Sequence, residues 1–223
     1  MAGVSRNCWS PAHSAWRTTT KQIPCWRIGA LTDRAEQIYQ RLPANARDAF
    51  FELVLYPTKA CAIVNELYIA AARNRLYADQ GRASANDYAA RVRELFQADA
   101  DWSATYNHTL AGGKWDHMMD QTHIGYTGWQ EPPVNVMPQV TTIEPGQDSA
   151  MDVTPLALQF DAFNQPKRHI DIFSCGRTPF PFTATASAPW IVLSKNRGTV
   201  GKDERLWVSV DWSKAPQGSA MVL

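Results

Sequence analysis

Five prolines fall between Glu131 and Pro155, and the hydrophobic period changes across them. Before that stretch apolar residues recur every three or four positions; after it they alternate. One regular element cannot carry both periods, because side chains return to one face every 3.6 residues in a helix and every two in a strand. Proline also lacks the amide hydrogen that either element uses, and it holds the preceding residue extended. The reading is therefore a multidomain chain, α then β. Residues 31–130 form a helical bundle domain, 131–155 a proline-rich linker lying extended on a surface, and 156–223 a partial β-sandwich domain.

The helical pattern begins at Leu31, with Thr32 as a candidate cap, and a first helix carries Ile38 and Tyr39 to a stop near Pro43. A second starts near Asn45 with Phe50, Phe51, Val54 and Leu55. Pro57 predicts a kink or a fresh start. Beyond it Cys61, Val64, Leu67, Tyr68, Ala71 and Ala72 form one face of a long amphipathic helix ended by Gln80-Gly81. Asn86 can cap another, whose stripe of Tyr88, Val92, Leu95, Phe96, Trp102, Tyr106 and Leu110 is interrupted by Asp99 and stopped by Gly112-Gly113. Two or three long antiparallel helices make a bundle.

In the β part, Leu156, Leu158 and Phe160 alternate, as do Ile170 and Ile172, and Leu206, Val208 and Val210. Pro181 between Phe180 and Phe182 places that strand at an edge or bulge. Trp190 to Leu193 reads as a buried run and Asn196 to Gly201 as a turn. Gly218 to Leu223 reads as a turn entering a further strand, so the sandwich is expected to be incomplete, with four or five strands.

Composition limits the function classes. A net charge of +1 gives no electrostatic case for nucleic acid or an acidic membrane surface. No apolar run approaches the roughly 20 residues needed to span a bilayer. Residues 1–30 match no pattern and are expected to be disordered, and MAGVSRNCWSPAHSAW lacks the apolar stretch of a secretory signal. Four cysteines without a C-x-x-C pair support no zinc or redox motif, and Cys61 and Cys175 read as small buried apolar residues.

The densest chemistry lies in GGKWDHMMDQTHIGYTGWQ, Gly112 to Gln130. Trp115, His117, Asp120, His123, Tyr126 and Trp129 are the candidate substrate-binding residues there. Asp116 and Asp120, four apart, would share a helix face and reach the carboxyl spacing of a glycosidase, though adjacent turns of one helix seldom face each other across a substrate. His117 and His123, six apart, do not match a common zinc spacing. A sugar-facing or interdomain surface and a satisfied polar plug are the other readings. No phosphate-cradling glycine loop or nucleophile elbow is present in the sequence, Glu66 and Arg73-Asn74-Arg75 read as a solvated face, and Asp152 and Asp161 read as turn residues. No catalytic residue, metal or cofactor is assigned.

Two stretches carry a family resemblance. AFFELVLYPTKACAIVNELYIAAARNRLYADQGR and LAGGKWDHMMDQTHIGYTGWQEPPVNVMP resemble the helical domain of glycoside hydrolase family 115. HIDIFSCGRTPFPFTATASAPWIVLSKNRGTV and ERLWVSVDWSKAP resemble the β-sandwich that follows it. The resemblance spans about Leu31 to Ala220. It implies a xylan α-1,2-glucuronidase that removes glucuronic acid, or its 4-O-methyl form, from glucuronoxylan or its oligosaccharides. It also implies export from the cell and a homodimer, with neither nucleic acid nor membrane as partner. The family's catalytic carboxylates lie in a barrel-like domain that has no counterpart in this sequence, so no catalytic residue carries over. The expectation is a non-catalytic fragment of such an enzyme, or, in the other class, a carbohydrate-binding or interaction module with Trp115, Tyr126, Trp129 and Trp207 as its aromatics.

Overall fold

The structure, a computed structural model, describes residues 25–148, 150–155 and 157–221, with side chains from Gly29 onward. It is a helical region followed by a partial β-sandwich, in two compact units. One contains the described residues up to Leu76 together with Asn86–Thr142; the other contains Tyr77–Ala85 and the described residues from Ile143 onward.

In the helical unit α1 spans Cys25–Arg41, six residues earlier than the apolar stripe at Leu31 predicted. Thr32 therefore sits inside the helix and is not its cap. Once a helix is nucleated each further residue costs little, so it can extend past its stripe. Of the segment expected to be disordered, residues 1–24 lie outside the described residues. Pro43 separates α1 from α2, Ala44–Phe50. A π-helical turn, Phe51–Leu55, then leads through continuous helical backbone into α3, Tyr56–Asp79; the widened turn lies just before Pro57, which has no amide to donate. Helix α4, Ala85–Ala104, starts one residue before Asn86 and continues into a second π turn, Thr105–Thr109. It stops at Leu110–Gly113, where Ala111 and Gly112 are left-handed.

Helices α3 and α4 run antiparallel: the Tyr56 hydroxyl meets Ser103 Oγ at 3.4 Å, Arg91 clasps Glu66, and Arg73 donates to the Tyr88 hydroxyl. Ile63, Val64, Leu67, Ala70, Ala71, Val92, Leu95 and Ile124 form one core; Ala35, Phe51, Leu55, Tyr56, Tyr106 and Leu110 form a second. On α3 the buried positions are Tyr56 and then the stripe from Ile63 to Ala71, and Cys61 is exposed, contrary to the expectation. Asn74 extends the stripe and is fully buried, so the solvated face holds Arg73 and Arg75 but not Asn74. Glu66 pairs across to α4 and not along its own helix.

In the β unit β1 (Met151–Thr154), β2 (Arg168–Ser174), β6 (Asp203–Val210) and β4 (Ile191–Leu193) form an antiparallel sheet in the order β1-β2-β6-β4. Strands β3 (Phe180–Thr183) and β5 (Arg197–Val200) pair as a second sheet. Ile172 and Leu206 from the first sheet and Phe180, Phe182 and Val200 from the second share one apolar core. Pro181 does lie on an edge, since β3 has a single partner strand.

Four local readings are corrected. The first strand is Met151–Thr154, inside the stretch read as linker and containing Asp152; Leu158 and Phe160 are in no strand, and Leu156 lies outside the described residues. Arg197–Val200, read as turn, is β5. The Phe182 ring lies 2.6 Å from where a Cβ on Gly198 would sit, so this glycine marks a close approach and not a turn. Trp190 to Leu193 is only half-buried, with Val192 exposed. Six strands are present among the described residues, and 218–221 are in none; Val222 and Leu223 lie outside them.

Candidate functional site

Residues 114–142 contain no helix or strand, so their polar backbone groups need partners from elsewhere. Beside a few backbone bonds such as that from the Val136 amide to the Ile124 carbonyl, many of those partners are side chains. Asn74 acts as a surrogate peptide: its Oδ1 accepts the Thr141 amide and its Nδ2 donates to the Thr141 carbonyl, both at 2.8 Å. Asn107, buried by the π turn, accepts the Met119 amide at 2.8 Å and donates to Asp120 Oδ1 at 2.7 Å. Asn135 Oδ1 accepts the amides of His123 and Ile124 at 2.8 and 2.9 Å. The Tyr68 hydroxyl accepts the Gly125 amide at 3.2 Å. Ile124, fully buried, plugs the core of α3 and α4, with Met137 and Val140 packed alongside.

Acid–histidine contacts result in two places with different surroundings, a surface cluster and a deeper pair. On the surface, His117 Nδ1 lies 2.5 Å from Asp120 Oδ2 and its Nε2 lies 3.6 Å from Asp116 Oδ2, while His108 Nδ1 lies 3.1 Å from Asp116 Oδ1. The bond to Asp120, then the charges of Asp116 and Asp120, hold the His117 imidazole above its ordinary pKa. The second pair is deeper. Asp99, only 4% exposed on α4, lies 2.9 and 2.8 Å from His123 Nε2 through its two oxygens, and His123 Nδ1 faces the Gln121 carbonyl at 3.0 Å. Both ring nitrogens face acceptors, which suits the doubly protonated ring. The bond to Asp99 raises the His123 pKa, burial opposes it, and the Gln121 carbonyl and the Asp99 charge add to the rise. Burial raises the nearby Tyr56 hydroxyl, Ser103 lowers it, and Asp99 adds to the rise.

The sequence candidates therefore separate. His117 and Asp120 come together, whereas His123 turns to Asp99. Asp116 and Asp120 do not share a helix face as the four-residue spacing predicted. The chain turns after Gly113, His117 adopts φ 66°, and both carboxylates are directed at one imidazole. Trp115 packs half-buried on the second core, with Lys114 Nζ 4.7 Å from its ring centre. Tyr126 donates to the Thr122 carbonyl at 3.3 Å, and Trp129 is 80% exposed. Sequence reading missed Asp99, Asn107, Asn74 and Asn135. The break of the α4 stripe at Asp99 was the one visible signal. Among the described residues no three His, Cys, Asp or Glu side chains converge as a metal site, and no helix is long and apolar enough to cross a membrane.

Compared with known proteins, the chain matches no family model and no curated sequence.

Proposed function

We propose that this chain is the helical and β-sandwich portion of a glycosidase resembling family 115, a xylan α-1,2-glucuronidase acting on glucuronoxylan, and that it serves as a scaffold without hydrolytic activity of its own. The supporting observation is the employment of the Gly112–Gln130 segment, the stretch that carries the resemblance most specifically. Its carboxylates and histidines are spent on holding the segment to the helices and to one another: Asp120 to Asn107 and His117, Asp116 to His108, His123 to Asp99. A general acid and a nucleophile or base in a glycosidase face a sugar from two sides. A segment fixed to this degree suits the wall of a neighbouring cleft. Incubating the purified chain with aldouronic acids and measuring released glucuronic acid is the direct test. None above the blank is expected, and sustained turnover would overturn the scaffold role. The coding DNA preceding Met1 tests the family reading separately: an in-frame barrel-like domain is expected there, and its absence ends that reading.

Exposed aromatic rings favour a second reading, a carbohydrate-binding or interaction module. Trp129 and Trp207 present much of their surface to solvent. Affinity electrophoresis in glucuronoxylan gels discriminates: retardation supports the module, and unchanged mobility removes it.

A further inference from the structure

The outer face of the four-stranded sheet is covered at one end and bare at the other. At the covered end the Tyr77–Ala85 segment places Arg82 between the rings of Tyr77 and Phe173, 4.3 and 4.1 Å from their centres, and against Asp203 at 3.2 Å. Moving along β2 and β6, the next outward pairs in register are Asp171 with Arg205 and His169 with Trp207. Trp207 is 44% exposed, and Val192 on the neighbouring β4 is exposed beside it.

The indole is fixed without being buried. His169 meets it edge-on, ring centres 5.2 Å apart and planes at 67°, and the Arg205 guanidinium lies 5.9 Å from the ring centre. Asp171 holds that guanidinium through Nε at 2.7 Å and Nη2 at 3.1 Å, leaving Nη1 uncommitted to the carboxylate. The Trp207 amide and carbonyl bond with Ser194, which fixes the strand beneath the ring. Burial and the charge of Arg205 lower the His169 pKa, so at neutral pH the ring offers one donor and one acceptor. Neither of its nitrogens has a hydrogen-bond partner among the described residues.

From this geometry we infer that the His169–Arg205–Trp207 face binds a neutral pyranose chain, one sugar stacking its C–H face on Trp207 while its hydroxyls bond to His169 and Arg205 Nη1. The charge pattern selects neutral over anionic ligands. Arg205 is balanced by Asp171 and Arg82 by Asp203, which leaves no surplus cation to attract a carboxylate or phosphate. A purely apolar partner would strand the His169 and Arg205 hydrogen-bonding groups under its surface. The inference gives the binding-module reading a location and a ligand class, and rests on that reading only in needing some glycan affinity.

The test titrates the whole chain with xylohexaose, cellohexaose and a glucuronate-bearing xylo-oligosaccharide, following indole N–H signals by NMR, for wild type, W207A, W207F and F163A. Expected is binding of a neutral hexaose that W207A weakens at least about tenfold, the scale of a central aromatic contact, that W207F partly restores, and that F163A, at a 96% exposed ring outside the proposed face, leaves intact. Backbone spectra certify that W207A folds, and W207F carries the test if it does not. Binding indifferent to both Trp207 substitutions overturns this site while leaving a module elsewhere. Binding confined to the glucuronate-bearing sugar overturns the neutral-ligand assignment. No binding of any sugar overturns the module reading itself.

Discussion

The two units handle buried polar groups differently. In the helical unit Asn74, Asp99 and Asn107 are buried on helices, and each holds a residue of the irregular 114–142 segment. In the β unit the strands satisfy one another through their ladders, and the largest fully buried side chain is a cation, Arg82, set between two rings and two carboxylates. A helix consumes its own backbone hydrogen bonds, so chain laid over it must find side-chain partners. A strand offers its backbone sideways and needs few. A buried amide on a helix face therefore signals a covering segment, and the same observation in a sheet would not.

The largest effect should come from Arg82. Changing it to Met keeps a stem between Tyr77 and Phe173 but leaves Asp203 without its cation, while Asp171 keeps Arg205. Breaking a buried ion pair typically costs about 3 to 5 kcal/mol, and the partial exposure of Asp203 favours the lower end, about 3 kcal/mol. Hydrogen exchange should speed up along β2 and β6 and stay unchanged in α3. Uniform loss across both units would break the distinction drawn between them.

Asn74→Ala sharpens the other side of the comparison. Two hydrogen bonds to Thr141 vanish, but Thr141 is exposed and water can replace the lost side chain, so about 2 kcal/mol is expected. Exchange should quicken at Thr141 and its neighbours, with the α3 amides protected as before. Asn74→Asp sets a carboxylate oxygen against the Thr141 carbonyl at a fully buried position, so it should cost at least as much as alanine; equal protection in all three proteins would show that the amide clamps nothing.

Gly198→Ala tests the sheet alone. A methyl group there meets the Phe182 ring, and the overpacking should cost about 1.5 kcal/mol. Pairing the change with Phe182→Leu should recover most of it, as measured by urea unfolding followed at the β unit. Absence of recovery would place the strain elsewhere.

What the sequence disclosed follows the same division. Periodicity reports burial of apolar side chains, so the α3 and α4 stripes and the alternation of Ile170 with Ile172 and of Leu206, Val208 and Val210 were legible. Asn74 was not, because the arginines on either side point to solvent and its partner lies 67 residues away. Strand β5 was hidden by Arg197-Gly198-Thr199, whose turn-like residues are there to admit a ring from β3. Strand β1 was hidden among prolines. In the candidate site Asp99 was visible as a break in a stripe, but its partner depends on how residues 114–123 turn, and no local pattern specifies that.

The smallest effect concerns that pair. His123 has a raised pKa in the folded chain, set first by its bond to Asp99. A group whose folded pKa exceeds its unfolded value stabilises fully below the unfolded value, near 6.5 for histidine. That contribution is lost as pH rises through the folded pKa. The helical unit should therefore lose stability on moving upward from about pH 6.5, and the loss should level off once the folded His123 has titrated. Asp99→Asn removes the charge that holds the proton, so the His123 titration followed by NMR should move down and the pH dependence flatten. His117 supplies the contrast: its pKa is raised too, but it lies in solvent, where screening keeps the contribution small, so His117→Gln should flatten the slope less than Asp99→Asn does. If His117→Gln flattens the slope and Asp99→Asn does not, the surface pair is the one that matters, and the contrast between a buried polar group that fastens chain to helix and an exposed one that does not would fail at this site.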